Sequence, residues 1–311
     1  MLLVLTRRLA NVIPTLVAVV ALVFLLFSVL PGSFVSAMNE DGRTTIDPAV
    51  MERMRKEMGL DDPLPERFAK YLAHTAVGDL GISFRTREPV TKLIGARVWP
   101  SLKLVFVAMA FAISVGVTLG FFAALRPGNI LDTVSMVFAI SGLSLSQFWF
   151  GLMLMYLFAL QLKWLPSFGY GDGGLTHVIL PAVALGVGPM ALLARTTRAA
   201  VLEILNADFV RTARSKGMSE RRVVEWHVLR NALVLVITIV GLQFGSLMGQ
   251  AVVVEKLFAW PGVGSLLVDS VFQRDIPTVQ GCILLIVLFF LFINTLVDLA
   301  YVVIDPRIRH G

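Results

Sequence analysis

Six long apolar runs dominate the pattern of hydrophobic and polar positions along the chain. A helix that crosses the roughly 30 Å hydrocarbon core of a bilayer needs about 20 apolar residues, and each run meets that length without a charge. In each run the apolar residues lie on all sides of the predicted helix instead of forming one stripe. A soluble fold could not accommodate six such helices in this order. The pattern predicts an all-α membrane protein with six transmembrane helices, at Leu9–Leu30, Leu104–Leu125, Thr133–Leu162, Gly173–Ala194, Asn231–Val254 and Ile276–Val297.

The third run is unusual because it would be about 45 Å long as one continuous helix, which exceeds the bilayer. It must therefore tilt, break or protrude. Polar residues lie near its middle, and two glutamines lie in the fifth run. Small polar residues at this depth either let helices pack and hydrogen-bond to each other or line a path for a solute. The candidates for a translocation path are Ser141, Ser144, Ser146, Gln147, Gln243 and Gln250.

Charged residues divide the chain into segments. Residues 1–30 hold the N-terminus and the first transmembrane helix, which we interpret as an uncleaved anchor because its apolar run is long for a signal peptide. For residues 31–98 the sequence predicts a small, partly helical extracytoplasmic insertion. Its helix is predicted to begin at Asp47 and Pro48 and to end near Gly59. Residues 99–311 form the remaining transmembrane core.

Basic residues near the ends of short loops set the orientation. With the N-terminus in the cytoplasm, Arg126, the eight basic residues within 195–230, and Arg307 and Arg309 all fall on the cytoplasmic side. The short outer loops are poorer in basic residues. Both termini are therefore predicted to be cytoplasmic.

Composition agrees with a membrane protein and excludes several other classes. The chain is 57% hydrophobic and 15% charged, and its net charge of +6 comes from basic loops suited to anionic lipid, so we predict no nucleic acid partner. The single cysteine cannot form an intrachain disulfide. No phosphate-binding loop occurs, the four histidines lack metal-ligand spacing, and no catalytic constellation is visible in the local sequence. We predict no catalytic residue, no metal site and no cofactor bound by this chain.

Acidic residues inside spans are typical of proton-driven or ion-driven transport. Asp298, near the end of the sixth run, is the one candidate that the sequence offers. Its position at the membrane surface favours snorkelling or pairing. An uphill transport process would therefore draw its energy from another protein.

The basic stretch "DFVRTARSKGMSERR", Asp208 to Arg222, predicts a short helix, a turn and a second helix. Asn206 could cap the first helix, with Asp208 in its first turn and a small apolar face made by Phe209, Val210 and Ala213. Gly217 could supply a left-handed helix end, and Ser219 could cap the second helix. An ordinary cytoplasmic loop with a surface helix lying on lipid remains the alternative.

The same stretch resembles the coupling segment of permease subunits in binding-protein-dependent ATP-binding-cassette importers, in the dipeptide, oligopeptide and nickel branch. Their pattern of Glu-Ala-Ala, three residues, then Gly corresponds to Arg211, Thr212, Ala213 and Gly217. The later Ile and Leu-Pro of the pattern are replaced by His227, Leu229 and Arg230. Similar matches are found in "MGLDDPLPERFAKYL", "GDLGISFRTREPV", "VVVEKLFAWPGVGSLLVDSVFQRDIPTVQG" and "NTLVDLAYVVIDPRIR".

The resemblance implies a type I importer permease in the bacterial inner membrane that takes up di- or oligopeptides. Implied partners are a homologous second permease, two ATPase subunits that use ATP and magnesium, and an extracytoplasmic substrate-binding protein. Coupling to the ATPases would run through residues 195–230. The implied coupling residues are Asp208, Phe209, Val210, Arg211, Thr212, Ala213, Arg214, Lys216 and Gly217.

Two alternatives stay open. The same importer class also carries nickel complexes and glutathione, and the sequence does not choose among these substrates. An ion-driven secondary transporter or channel would work without ATP or partner subunits. A membrane-embedded enzyme lacks a catalytic constellation to support it.

Overall fold

The computed structural model describes residues 2–29 and 62–304, and these residues are almost entirely helical. Two π-helical segments, Met155–Gln161 and Val224–Leu229, continue α5 and α8. The helices are α1 (Leu2–Val29), α2 (Leu64–Ala76), α3 (Val90–Leu125), α4 (Ile130–Ser144), α5 (Gln147–Leu154), α6 (Leu175–Leu205), α7 (Asp208–Ser215), α8 (Glu220–Val223), α9 (Arg230–Leu257), α10 (Val263–Phe272) and α11 (Ile276–Ile304).

Four helices of the described residues are long and apolar enough to cross a membrane, or five if one bent pair forms a single span. The first predicted run corresponds to α1, within which Ile13–Ser28 is an apolar stretch shorter than a full span. The count of six therefore stays a prediction. The sixth predicted run matches a span at Ile276–Val297.

Several spans extend beyond the runs that the apolar pattern predicted. The second begins at Val90 instead of Leu104, and the fourth continues past Ala194 to Leu205. Charged residues end an apolar run but do not end a helix, because Arg, Lys and Glu are good helix formers. With 36 and 31 residues at about 1.5 Å per residue, both helices are longer than the roughly 30 Å hydrocarbon core.

The long third run breaks, which is one of its three predicted outcomes. Asp132–Ser144 and Gln147–Gln161 meet at an angle of 111°. Leu145 and Ser146 both adopt extended backbone conformations, with ψ of 132° and 128°. Two successive extended residues interrupt the helical hydrogen bonds, so Gln147 begins a new helix in a new direction.

Residues Trp99–Gly264 and Phe289–Gly311 belong to one compact unit, as far as they are described. Inside it, α3 approaches α6 through Gly116 and Gly120. A Cβ at Gly116 would lie 2.5 Å from the Met190 carbonyl oxygen, and one at Gly120 would collide with the Ala194 carbonyl. The spacing of two glycines four residues apart lets helix backbones approach closely in a membrane.

Residues Leu2–Val98 and Ser265–Leu288 form the second unit, again within the described residues. Within it, the buried carboxylate of Asp275 accepts hydrogen bonds from Ser83 Oγ at 2.6 Å, Phe84 N at 3.0 Å and Thr278 Oγ1 at 2.7 Å. The predicted helix within residues 47–59 lies outside the described residues. The predicted division at residues 30 and 98 stays a prediction.

Candidate functional site

The basic segment folds as the short helix α7, closed by a glycine. Gly217 has a φ of +79°, its N–H donates to Arg214 O at 2.9 Å, and Met218 N donates to Ala213 O at 3.3 Å. These two bonds are the pair that closes a helix through a left-handed residue. The predicted helix end at Gly217 is confirmed.

Asn206 does not cap α7, so that prediction is wrong. Helix α6 continues through Leu205, which places Asn206 at its C-terminal end. The Asn206 side chain turns back and donates from Nδ2 to Leu202 O at 3.0 Å. The residue before α7 is Ala207, which has no side-chain acceptor, although Asp208 does lie in the first turn as predicted. Ser219 precedes α8 as predicted but makes no capping hydrogen bond there.

Of the three residues in the predicted apolar face of α7, two are buried against this chain and one is exposed. Val210 is fully buried and Ala213 is nearly so, in a cluster with residues of α3, α6, α8 and α9. Burying a valine side chain stabilises by about 1.5 kcal/mol or more. These two residues fix α7 to the spans of this chain. Phe209 is 46% exposed and is the one of the three that leaves its side chain available to a partner.

Arg214 also holds the segment together from within. Its Nη2 and Nε donate to the two carboxylate oxygens of Glu220 at 2.6 and 3.0 Å, across the turn at Gly217. The hydrogen bonds that Arg214 donates to the Glu220 carboxylate raise the pKa of Arg214 above its ordinary value. Since both side chains are largely exposed, the pair adds at most about 1 kcal/mol of stability. Asp208, Arg211, Thr212 and Lys216 have exposed side chains on the same segment.

The predicted path residues come together in part. Gln147 Nε2 donates to Gln250 Oε1 at 3.1 Å, and Gln250 Nε2 donates to Ser246 Oγ at 3.2 Å. Ser246 Oγ then donates to the Gln243 carbonyl at 2.9 Å. We call Gln147, Gln250 and Ser246 the amide ladder, which joins α5 to α9 directly after the break in the third span.

The three serines of the third run that were predicted as path residues do not join the amide ladder. Ser144 Oγ donates to Ile140 O at 3.1 Å within its own helix, and Ser141, Ser144 and Ser146 are all exposed. Ser246, which does join it, was missed by the sequence reasoning. Its spacing of four residues from Gln250 on a helix is the signal that could have found it.

Buried acids were also missed, among them Asp132 and Glu255 in addition to the Asp275 described above. Asp132, with 5% of its side chain exposed, accepts two hydrogen bonds from Arg198. Glu255 is 1% exposed, and Ser101 Oγ donates to its Oε1 at 2.5 Å. Asp132 immediately precedes the third run and Glu255 immediately follows the fifth, so a search confined to charge-free runs passed over both.

The carboxylate of Glu255 lies inside a tight turn. Trp260 Nε1 donates to Pro100 O at 2.9 Å, and Val263 N donates to Ser101 Oγ at 2.8 Å. A Cβ at Gly262 would collide with the Glu255 carboxylate. Gly262, the first glycine in "WPGVG", is therefore needed for close approach, and this turn holds the C-terminal end of α9 against α3 at Pro100 and Ser101.

No group of three or more His, Cys, Asp or Glu residues that could hold a metal ion occurs in the part of the chain that the structure describes. The buried acids lie with hydroxyl or guanidinium donors. These arrangements connect helices and provide no metal ligand set.

Comparison with known proteins gives matches along nearly the whole chain. The family model described as "Binding-protein-dependent transport system inner membrane component" matches residues 116–310, and the model of the corresponding N-terminal region matches residues 1–105. The glutathione transport system permease protein GsiC of Pectobacterium atrosepticum is 45% identical over 304 residues, which cover 98% of both chains. The protein of the same name from Escherichia coli K12 is 43% identical over 304 residues, again with 98% of both chains covered.

Solved structures show the same fold at lower sequence identity. A structure of the MetNI methionine ABC transporter in an inward facing conformation aligns with a TM-score of 0.58 at 18% identity, covering 69% of this chain and 97% of that chain. An amino acid ABC transporter with histidines aligns with a TM-score of 0.52 at 19% identity, covering 67% and 92%.

Proposed function

The chain belongs to the family of inner membrane components of binding-protein-dependent transport systems, and on this premise we propose that it forms the translocation path for glutathione and related short peptides. It is the permease subunit of an ABC importer, a multi-pass membrane protein without catalytic activity of its own. The predicted family and permease fold are thus confirmed.

The substrate assignment rests on one observation, the 45% identity over 98% of both chains to a permease named for glutathione transport. Di- or oligopeptides were the leading sequence-based prediction, with glutathione as an alternative. Glutathione is itself a tripeptide, so the proposal narrows the predicted substrate from di- or oligopeptides in general to glutathione and related short peptides. Nickel complexes remain the competing substrate.

The amide ladder supports a peptide substrate on chemical grounds. A glutamine side chain presents one carbonyl acceptor and an N–H donor group, which is the same combination that a peptide bond presents. A peptide entering between Gln147 and Gln250 could replace their mutual hydrogen bond without leaving either amide unsatisfied. Such an exchange is nearly neutral in energy, which suits a path that must release what it binds.

In this proposal α7 transmits ATPase movement to the spans. Val210 and Ala213 anchor α7 in this chain, and Phe209, Arg211 and Lys216 present exposed side chains to the ATPase surface. A short helix held by packing moves with the spans as one body, which is the requirement for mechanical coupling. Arg214, by contrast, is already engaged by Glu220.

The complete importer in this proposal contains a second permease, two ATPase subunits and a substrate-binding protein. It lies in the bacterial inner membrane with the basic segment in the cytoplasm, where positively charged loops are favoured. ATP and magnesium are used by the ATPase subunits.

Transport by the reconstituted importer tests the proposal. Proteoliposomes containing both permeases and the ATPases, with the ATPases facing the lumen, should accumulate labelled glutathione. Accumulation should require both ATP in the lumen and the binding protein outside the vesicles. Unlabelled short peptides should compete, whereas a nickel–histidine complex should not. Uptake that needs neither ATP nor binding protein would contradict the importer mechanism, and uptake of the nickel complex alone would contradict the substrate.

A further inference from the structure

A groove of about 760 Å³ opens beside α8 and the beginning of α9. Its lining combines two guanidinium groups with an indole, an imidazole and an amide. We call it the basic groove. It is lined by Met218, Arg222, Trp226, His227, Arg230 and Asn231.

The main residues of the basic groove lie on one face of a helical segment. Arg222, Trp226 and Arg230 follow each other at intervals of four residues, and Val224–Leu229 between them is π-helical. Residues four apart lie about one helical turn from each other, so these three side chains share one face of the segment, and all three line the groove.

The basic groove lies where an apolar surface gives way to a charged one. On α9 beyond it, Leu233, Val234 and Ile237 are 37%, 38% and 42% exposed and lie within the candidate span Glu220–Leu257. Trp226 is 64% exposed at this border. Tryptophan is enriched at the level of the lipid headgroups because its ring is apolar and its N–H is polar.

The charge of the basic groove is not neutralised by the neighbouring acids. Glu225 forms an ion pair with Arg221, with 2.8 Å from Nε to Oε1, and Glu220 forms one with Arg214, with 2.6 Å from Nη2 to Oε1. Among the described residues, no ion pair involves Arg222 or Arg230, and no acidic residue lines the groove. Two guanidinium groups thus face an open groove without a carboxylate.

We propose that the basic groove binds the phosphate headgroup of an anionic phospholipid. Guanidinium groups bind phosphate oxygens in a two-pronged geometry. The acyl chains would lie along the exposed face at Leu233, Val234 and Ile237, and Trp226 would lie at the ester level. The apolar continuation favours a lipid over a soluble ATPase surface, which could not follow the helix into the hydrocarbon layer.

The consequence is a second anchor for the coupling region. Met218, the residue directly after the left-handed Gly217, contributes both to the basic groove and to the cluster that buries Val210. A lipid bound there would restrain α7 at the membrane surface. This role is independent of the substrate, so failure of the glutathione assignment would leave it standing.

Quenching of Trp226 fluorescence by brominated lipids tests the proposal. The assembled importer is placed in nanodiscs of phosphatidylcholine with a minor share of phosphatidylglycerol, with brominated acyl chains on one lipid or the other. The difference between the native protein and Trp226→Phe isolates this residue from other tryptophans. At equal mole fraction, brominated phosphatidylglycerol should quench the Trp226 signal more strongly than brominated phosphatidylcholine.

Charge variants then identify the groove residues. Arg222→Gln or Arg230→Gln should each reduce the preference for phosphatidylglycerol by about fivefold, the share expected of one basic residue at an anionic surface. Arg221→Gln is the matched control, because Arg221 lies on the same helix, is 88% exposed and does not line the groove. High salt should weaken the preference of the unmutated protein, which provides a test that needs no variant.

Three results would overturn the proposal. Equal quenching by the two lipids would show that the groove does not select anionic headgroups. A Trp226 signal that neither lipid quenches, and that becomes shielded when the ATPase subunits bind, would assign the groove to a protein interface. Full relief of quenching by soluble glycerol phosphate would assign it to a free phosphate compound.

Discussion

Arg198 donates two charge-assisted hydrogen bonds to Asp132, at 2.5 Å from Nε to Oδ1 and 2.8 Å from Nη2 to Oδ2, and so joins α6 to α4. Gly128 N donates a third bond to the same carboxylate at 2.9 Å. Two-pronged pairs of this kind fix geometry as well as contribute energy. The start of the broken third span is therefore tied to the part of α6 that leads into α7.

Removing the carboxylate should loosen this connection. We expect Asp132→Asn to destabilise the permease by about 2 kcal/mol, since a hydrogen bond to a charged group contributes roughly 1.5 to 3 kcal/mol. Thermal inactivation of the purified importer measures the effect. Glu225→Gln is the control, because its partner Arg221 is 88% exposed and such a pair contributes little. Equal losses in both variants would contradict a special role for Asp132.

The close approach of α3 and α6 should be sensitive to a single methyl group. Gly120→Ala places a Cβ against the Ala194 carbonyl, so we expect a loss of about 1 to 3 kcal/mol from overpacking. Gly188→Ala is the matched control, because a Cβ there meets nothing within 4 Å. It should be neutral or slightly stabilising, since alanine favours helix over glycine. Retention of folded protein after heating in detergent compares the two, and a stable Gly120→Ala protein would contradict the packing.

Coupling through α7 should depend on the left-handed residue that ends it. Gly217→Ala keeps the space open but costs about 1 kcal/mol in backbone strain, which loosens the turn between α7 and α8. We expect weaker stimulation of ATP hydrolysis by loaded binding protein. Gly217→Asn should retain most of it, because asparagine tolerates this conformation.

A second glycine controls for the strain itself. Gly128 has a φ of +78°, and a Cβ there also meets nothing within 4 Å. Gly128→Ala should therefore cost similar stability and leave the stimulated ATPase activity close to normal. If both alanine variants reduce stimulation equally, general destabilisation explains the result and α7 has no special role.

The features that the sequence predicted correctly are local ones. The glycine end of α7 was visible in "ARSKGMS" because only Gly217 can take the left-handed conformation there without strain. The break near Ser144 was one of three outcomes for a run too long for the bilayer. Family membership was visible because four separate stretches matched in order.

The features that the sequence did not predict depend on contacts between distant parts of the chain. Ser101 and Glu255 are separated by 154 residues, and nothing in the local pattern joins them. The predicted capping role of Asn206 is wrong because α6, with Ala200 and Val201 buried near its end, continues to Leu205 and makes Asn206 its C-terminal cap. Tertiary packing decides such helix ends, and propensity alone cannot.

The amide ladder should contribute to transport without being needed for ATP hydrolysis. Gln147→Leu removes the donor to Gln250 and leaves that amide oxygen without this partner, while Gln250→Leu removes the bonds to both Gln147 and Ser246. We expect each variant to reduce glutathione uptake several-fold and to leave unstimulated ATPase activity unchanged. Their effects should not add in the double variant, because the two residues share one hydrogen bond.

Gln161→Leu is the matched control for this prediction. Gln161 is an exposed glutamine at the end of the same bent span, and its hydrogen bond goes to Tyr156 Oη at 2.9 Å, outside the ladder. Loss of the Gln161 amide should leave glutathione uptake close to normal. Additive effects of the two ladder variants would instead mean that Gln147 and Gln250 act separately. Because a leucine of similar size replaces each amide, a selective loss of uptake would trace to the missing donor and acceptor groups that a peptide bond could match.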